Sequence, residues 1–99
     1  MHIDYLKYEN NMDYKLTCEV EREYAKICKL LKQIRLMHGY NQRELAEKAC
    51  MSQQAISHIE TGFKAPLIIT TIRYLKGMNI SLADVLSAYI EQNKVQSKP

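Results

Sequence analysis

The chain has 99 residues, 46% of them hydrophobic and 25% charged, with a net charge of +3. This suits one small domain with a modest core and excludes a second domain of enzyme size. No apolar run approaches the ~20 residues of a membrane span, and the start M-H-I-D-Y-L-K-Y-E-N lacks the basic cluster and apolar stretch of a signal peptide, so a cytoplasmic location without membrane contact is expected.

The charge is unevenly spread. Residues 1–25 hold 3 basic and 6 acidic groups, a net of −3, which leaves 11 basic and 5 acidic groups, a net of +6, in residues 26–99. A basic balance of that size supports a phosphate-bearing partner. Cys18, Cys28 and Cys50 are odd in number and lack C-x-x-C pairing, which argues against a disulfide framework or a zinc site. His2, His38 and His58 have no metal-ligand spacing, and there is no glycine-rich phosphate loop. No enzyme activity, cofactor or metal is expected.

In chain order, residues 1–16 carry Tyr5, Tyr8 and Tyr14 with no sustained period. They read as an N-terminal arm, extended or in short helix, that packs on its own domain or a partner subunit, or else as a partly ordered tail. Thr17 is a plausible N-cap for the first helix of the domain, residues 17–90. Val20, Tyr24, Ile27, Leu31 and Ile34 form its apolar stripe, and Gly39 should stop it in the left-handed conformation.

Two short helices joined by a turn come next. Asn41 with Glu44 reads as a capping box, and Leu45, Ala46 and Ala49 face inward behind it. Ser52 offers a second N-cap; Ala55, Ile56 and Ile59 then recur at helical spacing, leaving Gln53, Gln54, Ser57 and His58 on the opposite side. Glutamine pairs a donor with an acceptor, the pattern adenine shows in the major groove, so two glutamines at a capped helix start suit base reading.

Gly62 should close this helix, and Pro66 opens a fourth over about Leu67–Met78, expected to bury Ile68, Ile72 and Leu75; Ile69, Tyr74 and Gly77 fit that face less cleanly. Asn79 is a left-handed terminator, and Ser81 to Asp84 is a capping signal for a fifth helix with Leu82, Val85, Leu86, Tyr89 and Ile90 along one face. Tyr89 and Ile90 are candidates either for a dimer contact or for packing beneath the first helix or the N-terminal arm. Residues 91–99 read as a polar tail.

Arg35, Asn41-Gln42, Leu45-Ala46-Glu47, Ser52-Gln53-Gln54, Ile56, Ile59-Glu60, Gly62 and Pro66 together resemble the helix-turn-helix domain of lambdoid phage repressors, Cro proteins and xenobiotic-response-element (XRE) regulators, over about residues 27–86. The resemblance implies an all-α, five-helix lambda-repressor-like DNA-binding domain, here with an extended first helix and an N-terminal arm. It implies a sequence-specific transcriptional regulator, a repressor, that places residues 53–60 in the major groove of double-stranded DNA as a homodimer on a palindromic operator. Gln53, Gln54, Ser57 and His58 would read bases; Gln42, Arg43, Ser52 and Lys64 would hold phosphates, Gln42 also bracing Gln53; Arg35 and Glu60 would form a structural ion pair. Cys50 departs from the family pattern, standing where glycine is common, whereas Met51 fills the usual apolar turn position. Small domains of this fold also serve as antitoxins or other regulators that bind a protein partner through an N-terminal arm or the C-terminal helix, with DNA binding for autoregulation, and the acidic, Tyr-bearing residues 1–25 keep that alternative open.

Overall fold

The computed structural model describes residues 11–63 and 66–96, side chains of residues 11–13 and 95–96 excepted. Five helices and no strand occupy the described residues: α1 (Asn11–Met37), α2 (Gln42–Ala49), α3 (Gln53–Thr61), α4 (Ile68–Lys76) and α5 (Leu82–Gln96). The fold is the all-α arrangement implied by the resemblance.

Local chemistry sets most of the boundaries. The Asn41 side chain accepts from the Glu44 amide at 2.8 Å while the Glu44 carboxylate accepts from the Asn41 amide at 2.9 Å, a reciprocal box that starts α2. Ser52 Oγ accepts from the Ala55 amide at 3.0 Å to start α3, and Ser81 and Asp84 cap α5 reciprocally. Each such cap is worth roughly 1 kcal/mol.

The first four helices end alike. A left-handed residue, Gly39, Cys50, Gly62 or Asn79, lets the next amide turn back to a carbonyl five residues earlier: Tyr40 to Arg35, Met51 to Ala46, Phe63 to His58 and Ile80 to Leu75, at 2.9–3.2 Å. Cys50 therefore keeps the left-handed geometry that glycine would adopt without strain, with φ 57° and ψ 48°.

The core gathers Leu30 and Leu31 of α1, Leu45, Ala46 and Ala49 of α2, Ile56 and Ile59 of α3, Tyr74 and Leu75 of α4, and Val85 of α5. Leu45, Ile56, Ile59 and Leu75 are fully enclosed, each contributing about 1.5–3 kcal/mol. Gly77, with an ordinary right-handed backbone, is where α4 meets α2: a Cβ there would lie 2.9 Å from Leu45 Cδ1 and 3.1 Å from the Ala49 backbone nitrogen. Its small size, rather than its torsional freedom, is what the site uses.

Several expected boundaries and faces differ. α1 begins at Asn11, so Thr17 lies inside it; residues 11–16 contain no Gly or Pro to stop the helix. Its stripe is buried only from about Cys28 onward, and Tyr14, Leu16 and Val20 are exposed. On α4, Leu75 is buried as expected, but Ile68 is exposed, Ile72 is half-buried, and Tyr74 is buried beside Leu75; Leu67 is the N-cap, so Pro66 lies outside the helix, and Leu67, Ile68 and Ile69 begin it ahead of the core. α5 continues through Gln96 into the expected tail, burying Val85 and half-burying Leu82 and Tyr89, while Leu86 and Ile90 stay exposed.

Candidate nucleic-acid interface

The inward side of α3 ends on a buried charge cluster. Arg35 donates from Nε to Glu60 Oε2 at 2.6 Å and from Nη2 to Oε1 at 3.1 Å. The same carboxylate accepts from Gln42 Nε2 at 3.1 Å and from the Tyr74 hydroxyl at 2.5 Å. Arg35 Nη1 donates to the Tyr40 carbonyl at 2.7 Å, and the Tyr74 hydroxyl also lies 3.1 Å from the Leu31 carbonyl. Glu60 thus ties four helices at one point.

Its electrostatics follow from that geometry. Burial pushes the Glu60 carboxyl up, but the hydrogen bonds from Arg35, Tyr74 and Gln42 and the arginine charge together outweigh it and hold its pKa below the ordinary value. The hydrogen bond to Glu60 raises the Arg35 pKa further, so the guanidinium stays charged. Burial, then the neighbouring carboxylate, pushes the Tyr74 phenol up, so that it serves as a donor throughout the physiological range.

The capped start of α3 presents Gln53 and Gln54 exposed, with Ser57 and His58 half-buried farther along the helix. Gln53 shares a shallow cleft of about 480 Å³ with Asn41, Gln42 and Arg43 at the start of α2, so the two helix N-termini open side by side. The Gln42 amide nitrogen is directed at Glu60 rather than at Gln53. Ser52 Oγ is engaged as an acceptor by its cap, which leaves its hydroxyl proton available to an outside acceptor. Arg43 is exposed, and Lys64 lies outside the described residues.

Farther along the helix, the His58 and Phe63 rings stack with centroids 4.8 Å apart and a tilt of 36°, and the Thr61 hydroxyl donates to the Ser57 carbonyl at 3.0 Å. Three residues outside the expected set therefore matter. Thr61, one turn beyond Ser57, was signalled by spacing; Phe63 by its place after a left-handed glycine; Tyr74 had no local signal, because its partner Glu60 is 14 residues away.

On α5, Tyr89 lies against the core, with burial and the Glu23 carboxylate holding its phenol above the ordinary pKa. Ile90 is exposed beside it. No group of three or more His, Cys, Asp or Glu residues is placed to hold a metal among the described residues, and no described helix is long and apolar enough to cross a membrane.

Two adjacent helices with open N-termini, the second bearing an exposed polar face and the pair locked from behind, define a DNA-binding helix-turn-helix unit. Residues 31–85 match the helix-turn-helix family, and the chain belongs to that family, in its XRE-type, Cro- and CI-like branch of DNA-binding transcription regulators. No curated protein and no solved structure matches the chain.

Proposed function

We propose that the protein is a sequence-specific transcriptional repressor that places α3 in the major groove and binds a two-fold operator as a homodimer. The observation that carries this reading is the pair of exposed amides, Gln53 and Gln54, at the capped start of a helix whose last turn is pinned by Glu60. Gln53, Gln54, Ser57 and His58 read base edges. Gln42, Arg43, Ser52 and Lys64 position the backbone, aided by the open amides at the start of α2, where the helix dipole favours an anion.

One bidentate contact gives about 1–3 kcal/mol of discrimination, too little for one protomer to find a site among roughly 10⁶–10⁹ competitors. Two copies on half-sites about one helical turn apart supply the difference. Ile90, with Leu86 one turn before it, offers an apolar contact on α5 for that pairing, Tyr89 bordering it. Selection from random duplex DNA at two salt concentrations tests the whole reading: a palindromic product is expected, with a salt slope that counts phosphate contacts. Gln53→Ala should then lose roughly 5- to 150-fold on the selected duplex and little on a scrambled one. Equal losses on both would remove Gln53 as a reader.

A second reading has its own observation. Tyr14, Leu16 and Val20 are exposed on the acidic N-terminal half of α1, which is the kind of surface an antitoxin or similar regulator uses for a protein partner while DNA binding regulates its own synthesis. A stoichiometric partner retained after Leu16→Ser and Val20→Ser would exclude this surface.

A further inference from the structure

Phe63 stands apart from the three residues that occupy the same place in the other helix closures. After each left-handed residue, the chain sends one hydrophobic side chain back toward the helix it has just left. Tyr40 and Met51 do so half-buried against the core, and Ile80 is 8% exposed. Phe63 is 67% exposed. It turns instead onto His58, whose carbonyl accepts its amide at 3.2 Å and whose ring it overlies at 4.8 Å.

Backbone and side chain thus hold the two rings together, and they do so on the side of α3 that carries Gln54 and Ser57. The apolar feature that the major groove offers to a ring held beside a base-reading face is the thymine 5-methyl group.

We propose that Phe63 is a specificity-determining residue: with His58 it forms one fixed aromatic platform that contacts a thymine methyl in each half-site. The imidazole supplies the polar contact and the phenyl ring the apolar one, and the stack keeps the imidazole from swinging away from the groove. This rests on the base-reading role proposed for α3, and the test separates the two.

In the duplex obtained by selection, each thymine is replaced singly by uracil, which removes the 5-methyl group and nothing else. Wild-type protein should lose about three- to fivefold in affinity at one thymine per half-site, the worth of burying one methyl-sized group. Phe63→Ala should bind the thymine and uracil duplexes equally, and Phe63→Gln, which keeps a side chain of some length without the apolar face, should do the same. Unchanged melting of both variants excludes a folding defect, and the wild-type uracil scan needs no variant at all. A flat scan in the wild type, or a penalty that survives in both variants, overturns the platform while leaving Gln53 and Gln54 as readers. Failure of the selection to yield any preferred sequence overturns the base-reading role and the platform with it.

Discussion

Glu60→Gln is the sharpest probe of how the fold is held. Glutamine preserves shape but not charge, and it replaces one oxygen by an NH2 group. Each Glu60 oxygen accepts two donors, Arg35 Nε and Tyr74 on one, Arg35 Nη2 and Gln42 on the other. Whichever way the new amide turns, two donors therefore face a donor, and the buried Arg35 loses its counter-charge. Breaking a buried pair from one side costs about 3–5 kcal/mol, a third or more of the stability of many small domains. Chemical denaturation should register that loss, and the Tm should fall by at least about 12 °C. The pH dependence has a definite sign. The Glu60 pKa is depressed in the folded state, so its contribution is full above the ordinary value of about 4.3 and is lost as pH falls through the folded value. The gap between wild type and Glu60→Gln should be constant at neutral pH and close only in strong acid. Replacing both partners, Arg35→Met with Glu60→Leu, should cost at least about 2 kcal/mol less than the two single changes added together. A loss under about 1 kcal/mol in Glu60→Gln, or strict additivity in the double variant, would refute the reasoning.

Two backbone predictions follow from the helix closures and the α2–α4 contact. Cys50→Gly should raise stability by about 0.5–1 kcal/mol in urea unfolding, since it relieves about 1–2 kcal/mol of left-handed strain at an exposed position and returns part of that through added freedom in the unfolded chain. Gly77→Ala should lower stability by about 1–3 kcal/mol although alanine is the better helix former, because the new methyl meets Leu45 and the Ala49 backbone at 2.9–3.1 Å. Stabilisation by Gly77→Ala would mean that α2 and α4 can move apart freely.

The caps at Asn41, Ser52 and Ser81 were legible in the sequence because each is a bond between residues three apart, and left-handed closure at Gly39, Gly62 and Asn79 was legible for the same local reason. Apolar spacing located the cores of α2 and α3. The face of α4 was not legible, since Tyr74 becomes an inward residue only once Glu60 and the Leu31 carbonyl satisfy its hydroxyl, and both lie elsewhere in the chain. Gly77 likewise looks like a defect in a helix until α2 is set against it. The starts and ends of long helices escaped as well: α1 and α5 run past Thr17 and Ile90 because the residues there favour continuing, and periodicity alone does not mark where an exposed helix stops.

Glu60 also bears on how the proposed reading face is aimed. Gln53 precedes it by seven residues, two helical turns, so at 3.6 residues per turn the two side chains leave α3 in nearly the same direction, with Gln54 about 100° away. Gln53 accordingly opens toward the start of α2, into the cleft that Gln42 and Arg43 share, and Gln42 is the residue that joins this cleft to the Glu60 carboxylate. Gln42→Met removes that link while Arg35 and Tyr74 keep three hydrogen bonds on Glu60, so the domain should fold with a loss of about 1–3 kcal/mol. Selection repeated with this variant should lose preference at one base per half-site, the one assigned to Gln53, and retain it at the base assigned to Gln54. A uniform weakening on selected and scrambled duplexes alike would instead make Gln42 a phosphate contact alone, with no part in directing Gln53.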